Sequence, residues 1–360
     1  MPESPFLEIE AAEGAVLGEQ CGWRIPVRFE GTGGLAAARR AAGLVDLSAH
    51  GRIKMTGKDA TDLLQRLSTN DLRPLEPGSM IPTLFVTAKG RIVDRALVLD
   101  RGGSLVLLTS PDGRGRLPAW IERFIFSEDA ALTDISGETA AFALAGPAAA
   151  ELVRAIVGVS ARAIGTSRVL ALPIQGVETI VAPYDGLPSA WLFLAETPGI
   201  VTVYRNALDA GRALGLAPIG LEEAEVLRVE AGIPADGHEL TEEWNPWEVG
   251  LEGSFSLTKG CYTGQEVIAR LATYDKIQRR LVGLKAGQDE LPPGPAPVFA
   301  MGEGGGTEHE IGTLTSAVRS DRFGGAIGLA VVRIAQAAPG GTVTVGDGKV
   351  RATVCELPFA

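Results

Sequence analysis

The distribution of apolar residues changes near residue 280, and this change constrains the fold more than any other feature of the sequence. Before it, stretches with helical periodicity alternate with β-rich stretches, which is typical of α+β domains. After it come short β-rich runs separated by Gly and Pro, typical of a small all-β barrel or sandwich, and they include Arg280–Leu284, Ile327–Val332 and Thr342–Val345. We therefore predict an α+β region over residues 1–275 and a separate β domain over residues 276–360.

Local patterns predict individual elements in the first region. Apolar residues recur at helical spacing within residues 57–69 and predict a helix with one buried face, formed by Ala60, Leu63, Leu64 and Leu67. A β-hairpin is predicted where Ala88-Lys89-Gly90 joins the β-rich runs 81–87 and 91–99. Further helices are predicted over residues 118–126, 147–157, 199–214 and 221–231, and further strands over residues 104–109 and 177–182.

The composition excludes several classes of protein. The chain has 360 residues, of which 46% are hydrophobic and 21% charged, so disorder along the whole chain is excluded. At roughly 150 residues per domain, this length predicts about two to three domains. The 44 acidic residues outnumber the 33 basic ones and give a net charge of −11, which argues against a direct nucleic-acid partner. No apolar run is long enough for a spanning helix, so no membrane partner is predicted.

The N-terminal residues and the cysteines bear on the cellular compartment. Residues 1–10 carry early acids and lack the features of a secretory signal or a transit peptide, so we predict a cytoplasmic protein. Cys21, Cys261 and Cys355 are odd in number and far apart, so no disulfide framework is evident. No CxxC, CxxxC or HExxH spacing offers local ligands for a metal, and no metal site is predicted. The glycine-rich segment 301–310 lacks the ending of a phosphate-binding loop, and we assign it no chemistry.

The segment Lys-Gly-Cys-Tyr-Thr-Gly-Gln-Glu, at positions 259–266, precedes an apolar run typical of a short amphipathic helix. Thr263 and Glu266 have the spacing of a capping box, in which the hydroxyl accepts a hydrogen bond from the N3 amide and the carboxylate returns to the N-cap amide. This spacing predicts a helix that begins at Thr263.

The cysteine of this segment, Cys261, has two interpretations. It lies two residues before the predicted N-cap, where the positive helix end and the nearby Lys259 favour a thiolate. Gly260 has no side chain, which permits an unusual backbone angle or the close approach of a ligand. The alternative is that Cys261 is a small buried apolar residue, because free cysteine is among the most buried residue types.

The same segment resembles the K-G-C-[FY]-x-G-Q-E signature of the YgfZ-type folate-binding proteins. These proteins are a branch of the glycine-cleavage T-protein (aminomethyltransferase) superfamily that supports the maturation of iron–sulfur proteins. The residues that match the signature are Lys259, Gly260, Cys261, Tyr262, Gly264, Gln265 and Glu266. Segments similar to the superfamily extend over nearly the whole chain, at residues 22–26, 42–48, 67–72, 145–147, 227–234, 279–284, 311–316 and 358–359.

The resemblance implies both a fold and a ligand. The implied fold class is α+β, a three-domain T-protein-like ring with a small C-terminal β-barrel. Residues 1–275 would then form a folate-binding, aminomethyltransferase-like region of two α+β subdomains, and residues 276–360 the barrel. The implied cofactor is tetrahydrofolate, received by the central hole of the ring.

The resemblance also assigns a role to Asp94. This residue ends the run Gly90-Arg91-Ile92-Val93-Asp94, which resembles the T-protein segment whose aspartate faces the folate nitrogen at the one-carbon centre. A carboxylate in that place can accept a hydrogen bond from the amine and steer a proton during transfer. The alternative is an exposed carboxylate on a strand.

Three further polar residues are candidate folate contacts. Arg228 and Glu230 lie in a Leu-Arg-Val-Glu run that resembles a folate-contacting stretch of T-protein, and arginine suits the glutamate tail because its planar fork can bind a carboxylate at two points. The alternative for both residues is an intrahelical or interdomain ion pair. Asn70 either lines the hole or ends the preceding helix.

One stretch departs from the T-protein pattern. T-proteins carry a Gly-Glu-x-Gly-Tyr-Glu-like run whose last glutamate grips the pteridine, whereas residues 186–191 here read Gly-Leu-Pro-Ser-Ala-Trp. The carboxylate is absent, which argues against tight, T-protein-like orientation of folate. Trp191 either stacks on the pterin in its place or belongs to the core.

Three functions follow from the resemblance, in order of preference. The first is a tetrahydrofolate-binding accessory protein for the assembly or repair of iron–sulfur proteins, with Cys261 as the functional thiol. Its iron–sulfur client or assembly partners would bind transiently, and any effect on tRNA modification would be indirect. The second is a folate-dependent aminomethyltransferase or other one-carbon transferase that uses Asp94. The third is a folate-responsive binding module without chemistry.

Overall fold

The computed structural model describes residues 1–31, 33–158, 169–274, 276–300, 309–347 and 349–360. These residues form two compact units, which we call unit 1 (residues 1–83 and 94–224) and unit 2 (residues 84–93 and 225–360). Residues 301–308 of the glycine-rich segment lie outside the described residues. Within the described part of the chain, every helix is too short or too polar to cross a membrane.

Helices and strands are numbered here in chain order over the described residues. The helices are α1 (Leu7–Ala12), α2 (Gly34–Arg40), α3 (Ala60–Leu67), α4 (Gly113–Glu122), α5 (Ala149–Val157), α6 (Gly199–Arg212), α7 (Leu221–Glu230) and α8 (Gln265–Thr273). The strands of the first half are β1 (Ala15–Gln20), β2 (Trp23–Phe29), β3 (Ala42–Asp46), β4 (Arg52–Thr56), β5 (Met80–Val86), β6 (Ile92–Asp100), β7 (Leu105–Thr109), β8 (Ala131–Asp134) and β9 (Thr139–Ala145). Those of the second half are β10 (Leu170–Ile174), β11 (Val177–Tyr184), β12 (Ala190–Glu196), β13 (Leu216–Ile219), β14 (Arg279–Gly287), β15 (Ala296–Ala300), β16 (His309–Ser320), β17 (Gly325–Arg333), β18 (Thr342–Val345) and β19 (Val350–Cys355).

A six-stranded sheet with the order β10-β11-β12-β9-β3-β13 forms the larger core of unit 1. Its neighbours pair antiparallel except β13, which runs parallel to β3. All seven residues of β9 are buried, as expected for a central strand covered on both faces. Side chains of α5 and α6 complete this core together with an aromatic cluster of Phe6, Phe142, Phe193 and Tyr204.

The second sheet has the strand order β5-β6-β7-β4-β8. The predicted hairpin at its edge is confirmed: Thr87 N donates to Arg91 O over 2.8 Å, and Gly90 supplies the positive φ of +69° that the turn requires. The predicted helix α3 is also confirmed, because its four apolar residues are all buried. Residues 118–122 of the predicted helix 118–126 are helical as part of α4, which begins earlier, at Gly113, and ends at Glu122, so the helical prediction for residues 123–126 is wrong.

Unit 2 contains a closed barrel with the strand order β14-β17-β16-β15-β18-β19. Alternate side chains of these strands point inward and form one apolar core, which includes Val282, Leu314, Val332, Val345 and Val354. Closure of the sheet removes its edges and decides between the barrel and the sandwich, both of which fit the sequence pattern. The predicted α+β class with a small C-terminal β-barrel is therefore confirmed.

Candidate functional site

Asp94 lies on β6 in unit 1, and its side chain has no exposed surface, so the alternative of an exposed strand carboxylate is wrong. Its Oδ1 accepts a hydrogen bond from Arg95 N over 2.8 Å. Its Oδ2 lies against the first residue of α4, where a Cβ on Gly113 would be 1.8 Å away. Only glycine fits at position 113 while the carboxylate holds this position, because real Cβ atoms do not approach other atoms so closely.

The start of α4 surrounds this carboxylate with polar groups. Ser110 Oγ accepts the hydrogen bond from Gly113 N over 3.1 Å. Arg116 lies one turn further along, with Nη2 3.7 Å from Asp94 Oδ1 and Nη1 donating to Asp112 Oδ2 over 2.6 Å. The positive helix N-terminus and the guanidinium both favour a negative charge at Asp94.

The sequence pattern did not indicate Gly113 or Arg116 as parts of this site. They lie 19 and 22 positions after Asp94, and α4 alone brings them to β6. A signal was present in retrospect, since the Ser110-Pro111-Asp112-Gly113 run combines N-cap and turn residues immediately after a buried strand.

Asn70 serves the local structure of unit 1. Its backbone N donates to Thr83 Oγ1 and its Nδ2 donates to Pro82 O, both over 2.9 Å, so it ties the segment after α3 to β5. Helix α3 ends at Leu67 with Ser68 as its C-cap, so the interpretation of Asn70 as the residue that ends this helix is wrong. Contact of Asn70 with folate stays a prediction.

Trp191 lies on β12 between Leu144 of β9 and Pro183 of β11, where it packs partly buried against the larger core of unit 1. This placement supports the core interpretation, and stacking on a pterin stays a prediction. Within residues 186–191, which lack the pteridine carboxylate, Gly186 packs closely against Tyr184, because a Cβ added there would lie 2.3 Å from Tyr184 Oη.

Tyr184 belongs to a polar group of unit 1 that the sequence pattern did not indicate. Its Oη lies 3.2 Å from His50 Nε2, and burial raises the pKa of its phenol above the ordinary value. The next residue, Asp185, forms an ion pair with Arg95, the neighbour of Asp94 on β6. The members of the Arg95–Asp185 and His50–Tyr184 pairs are 90 or more positions apart, so no local sequence pattern predicts these contacts.

Arg228 lies on α7 in unit 2 and is only 4% exposed. Its Nε donates to Glu225 Oε2 over 2.6 Å, and its Nη1 donates to Glu239 Oε2 over 3.2 Å. Its remaining donors are directed to Glu225 Oε1, Ser316 Oγ and Ile233 O. All five N–H groups of the guanidinium are thereby engaged, which supports the ion-pair interpretation over capture of a folate tail.

Glu230, at the end of α7, is 5% exposed and accepts a hydrogen bond from Ser320 Oγ over 2.5 Å. Its backbone oxygen accepts another from Phe359 N over 3.1 Å. Glu230 therefore joins α7 to the barrel strand β16 and to the C-terminal segment. Its contact with folate, like that of Arg228, stays a prediction.

The segment 259–266 packs into unit 2 through two of its side chains. Tyr262 is 7% exposed within an apolar cluster, and burial raises the pKa of its phenol to about 12. Lys259 is 4% exposed, with its Nζ 5.0 Å from the centre of the Tyr262 ring. Gln265 Nε2 donates to Lys259 O over 3.1 Å and closes the loop between them.

Cys261 is exposed, so its interpretation as a buried apolar residue is wrong. Gly260 does not have a positive φ, and a Cβ added there would meet nothing within 4 Å. The backbone therefore does not require glycine at position 260, and the space beside Cys261 is open on that side.

The predicted capping box at Thr263 is wrong. Helix α8 begins at Gln265, its N-cap is Gly264 in the left-handed conformation with φ +80°, and no side chain caps it. A Cβ at Gly264 would lie 2.6 Å from Thr87 O, so this glycine is fixed by close packing against the β5–β6 turn. Glu266 is exposed on the first turn of α8.

The described residues offer a partial fit to tetrahydrofolate. A buried carboxylate beside a helix N-terminus and a guanidinium suits an amine of the ligand. The residues carried over for the pteridine and the tail fit less well, because residues 186–191 contain no carboxylate and Arg228 is engaged within the protein. Over the described ranges, no three His, Cys, Asp or Glu side chains gather into a metal-binding group.

Comparison with known proteins covers almost the entire chain. Residues 6–259 match the GCVT N-terminal domain, and residues 279–360 match the glycine cleavage T-protein C-terminal barrel domain. An aminomethyltransferase of Moorella thermoacetica is 33% identical over 365 residues, covering 100% of this chain and 98% of that protein. A putative chloroplastic transferase of Arabidopsis thaliana is 32% identical over 328 residues, covering 88% of this chain and 71% of that protein.

A solved structure shares the fold. The glycine cleavage system aminomethyltransferase T from Bartonella henselae superposes with a TM-score of 0.83 at 22% identity, covering 99% of this chain and 98% of that chain. The predicted superfamily and its fold are thus confirmed, while assignment to the YgfZ-type branch stays a prediction. On the two matched domains and the identity over the full length, the chain belongs to the glycine cleavage T-protein family.

Proposed function

We propose that this protein binds tetrahydrofolate and transfers a one-carbon unit from an aminomethyl donor, with Asp94 as the carboxylate at the reacting nitrogen. The observation that carries the proposal is the fully buried Asp94 carboxylate, enclosed by Gly113 and faced by Arg116. Relatives named aminomethyltransferase at about 30% identity over the full length support it. The proposal gives preference to the transferase over the accessory role.

Each residue around Asp94 has a defined task in this proposal. Tetrahydrofolate, when bound, supplies the amine nitrogens that carry the one-carbon unit. Asp94 accepts a hydrogen bond from such an amine and can hold its proton, because a carboxylate within hydrogen-bond reach acts as a general base. Burial excludes water from the carboxylate, which strengthens its interaction with a positive or proton-donating partner.

Calorimetric titration with anaerobic tetrahydrofolate tests the binding part. We expect Asp94→Asn, which preserves the size of the side chain, to weaken binding at least about tenfold, since a charge-assisted hydrogen bond is lost. Asp100→Asn is the matched control, because Asp100 lies on the same strand and its side chain accepts a turn hydrogen bond from Gly102 N over 2.7 Å. Equal binding by wild type and Asp94→Asn would overturn the proposal.

Product formation tests the chemical part. Wild-type protein supplied with tetrahydrofolate and an aminomethyl donor should form 5,10-methylene-tetrahydrofolate, and Asp94→Asn should not. In this step the donor's carbon forms bonds to two folate nitrogens and loses its bonds to the amino group and to the rest of the donor, and the two displaced folate protons leave with ammonia and the released donor. Binding without product in wild type would favour the folate-responsive module, in which neither Asp94 nor Cys261 performs chemistry.

A second candidate function is the accessory role in the assembly or repair of iron–sulfur proteins. The exposure of Cys261 within a YgfZ-like signature favours it, because a thiol must be accessible to act on a transient partner. We expect Cys261→Ser to abolish support of iron–sulfur enzymes in cells while leaving the fold intact. Cys21→Ser is the matched control, since Cys21 is also exposed but lies outside the signature. Undiminished iron–sulfur enzyme activity with Cys261→Ser would exclude this candidate.

Four other folate contacts belong to the proposal as predictions of the family resemblance, namely Asn70, Trp191, Arg228 and Glu230. Their hydrogen bonds and packing within the protein mean that substitutions there also disturb the fold. Titration of each variant must therefore be paired with a thermal unfolding curve, and a lower affinity counts only where the unfolding midpoint is unchanged.

A further inference from the structure

We infer that Arg116 is a positioning residue for the proposed reaction: its guanidinium keeps the buried Asp94 carboxylate charged and oriented toward a bound amine. This inference rests on the proposed function and assigns a role to a residue outside the motifs found in the sequence.

The geometry directs the guanidinium toward Asp94. Arg116 Nη1 donates to Asp112 Oδ2 over 2.6 Å, an i,i+4 contact that fixes the side chain along the first turn of α4. Its Nη2 lies 3.7 Å from Asp94 Oδ1 and 3.5 Å from Ser110 Oγ. At 3.7 Å the contact with Asp94 is an ion pair and not a direct hydrogen bond, so Arg116 acts on Asp94 through its charge.

The burial of the two partners makes this charge effective. Asp94 has no exposed surface, whereas the Arg116 side chain is 34% exposed. A buried carboxylate strongly favours its neutral form unless a nearby positive charge compensates it. Arg116 supplies this charge while it retains contact with water, so only one member of the pair bears a full desolvation penalty.

Two other charged residues lie next to Asp94 or Arg116, and each has an ion pair of its own. Arg95 lies next to it on β6 and contributes its backbone N–H, while its guanidinium pairs with Asp185. Asp112, at the N-cap of α4, is itself negative and pairs with Arg116. Among these neighbours, Arg116 carries the guanidinium that forms an ion pair with Asp94.

A matched pair of arginines on α4 makes the inference testable. Arg114 is also 34% exposed and also pairs with a carboxylate, its Nε donating to Asp134 Oδ2 over 2.6 Å. The experiment compares wild type with Arg116→Gln, Arg116→Lys and Arg114→Gln, and includes Asp94→Asn. Each protein is titrated calorimetrically with anaerobic tetrahydrofolate between pH 5.5 and pH 8.5, and its thermal unfolding is recorded without ligand.

Protonation of Asp94 should weaken tetrahydrofolate binding at acid pH. We expect Arg116→Gln to move this decline upward by about one pH unit, so that binding is about tenfold weaker within the decline and little changed at pH 8.5. Arg116→Lys restores the position of the decline because it restores the charge. Arg114→Gln follows wild type, and the unfolding midpoints of the variants agree within a few degrees.

The other outcomes overturn the inference in distinguishable ways. An unchanged pH profile in Arg116→Gln, with binding lost in Asp94→Asn, leaves the proposed function intact and removes the role of Arg116. Weakening by the same factor at every pH, not rescued by lysine, assigns Arg116 a structural role instead. Wild-type binding by Asp94→Asn contradicts the proposed function itself and removes the basis of the inference.

Discussion

Each unit of the molecule contains a pair of acidic side chains of which at least one is buried, and the two pairs have opposite surroundings. In unit 2, Glu239 has no exposed surface and accepts four hydrogen bonds, from Thr315 Oγ1, Ser316 Oγ, Ala235 N and Arg228 Nη1. Its neighbour Glu225 pairs with the same arginine. In unit 1, Glu10 is 1% exposed and Asp46 is 5% exposed, and no arginine or lysine forms an ion pair with either among the described residues.

Without such a cation, the pKa values of Glu10 and Asp46 in unit 1 are raised. Burial raises the pKa of Glu10 well above its ordinary value, and the nearby Asp46 raises it further, while the hydrogen bond from Tyr204 Oη over 3.1 Å lowers it. Burial likewise raises the pKa of Asp46, and Ser4, Ser48 and the charge of Arg52 offset only part of this. Within the described part of the chain, Glu10 Oε2 and Asp46 Oδ2 have no hydrogen-bond partner.

Arg52 does not serve Glu10 and Asp46 as Arg228 serves Glu225 and Glu239. This arginine has no exposed surface, and it donates to the backbone oxygens of Ser48, Ser136 and Thr139 over 2.6–2.9 Å. Its guanidinium therefore organises loops and does not bind a carboxylate. The comparison teaches that burial alone does not decide the protonation of an acid, because the available donors and cations decide it as well.

The largest effect is expected from Arg228→Met in unit 2. The substitution removes the cation shared by Glu225 and Glu239 and leaves a buried carboxylate uncompensated, so the free energy of unfolding should fall by about 3–5 kcal/mol. Urea denaturation measures the change, and Arg228→Lys, which retains the charge without the fork, should lose less. A loss below about 1 kcal/mol for Arg228→Met would show that the unit 2 cluster does not depend on its cation.

Glu10→Gln in unit 1 should instead increase the free energy of unfolding at neutral pH. A pKa that is higher in the folded than in the unfolded state gives stability that is complete below the ordinary value of 4.5 and is lost as pH rises toward the folded value. The glutamine variant carries no titrating group at this position and lacks this loss, so at pH 8 it should be more stable than wild type by about 1–2 kcal/mol.

Unfolding measured from pH 4 to pH 8 checks this prediction, with Glu8→Gln as the control because Glu8 lies on the same helix and is exposed. If the free energies of unfolding of wild type and Glu10→Gln changed with pH in the same way, the raised pKa of Glu10 would be contradicted.

The interaction free energy between Glu10 and Asp46 in unit 1 should be smaller than the two effects above. If Glu10 and Asp46 share their protonation, Glu10→Gln and Asp46→Asn combined should differ from the sum of the single changes by about 1 kcal/mol at pH 8. A double-mutant cycle from chemical denaturation gives this number. Strict additivity would mean that each acid responds to burial alone.

The smallest effect is expected from an exposed ion pair. Arg24 Nη1 lies 2.9 Å from Glu3 Oε1, and the two side chains are 51% and 56% exposed. Arg24→Gln should change the free energy of unfolding by less than about 1 kcal/mol, because solvent screens such pairs. A larger loss in the same denaturation experiment would mean that pairing, and not burial, explains the difference between the two units.

Much of the fold follows from local pattern and resemblance. The helical spacing of Ala60, Leu63, Leu64 and Leu67 predicts α3, and the composition of the β5–β6 turn predicts the hairpin. The family segments predict the α+β class and the C-terminal barrel. Where an element boundary differed from the prediction, at α4 and α8, contacts outside the helix lie at its start: Gly113 N donates to Ser110 Oγ, and Gly264 packs against Thr87.

The candidate site was predicted less completely. Asp94 was found through its resemblance to a T-protein segment, but its complete burial was not evident from the sequence. Arg228 was identified as either a ligand contact or an ion pair, and its five donors were counted only once Glu239 and Ser316 were in place. Arg116 was missed, because 22 positions of chain separate it from Asp94.

The sequence by itself determined the family, the order of the elements and two candidate functional side chains, Asp94 and Cys261, because periodicity and contiguous motifs are local properties of the chain. The tertiary structure decided which acid lies beside a cation, whether Cys261 is exposed and which arginine faces Asp94. These properties depend on groups that are distant in sequence and become neighbours only after folding, when desolvation makes each missing partner costly.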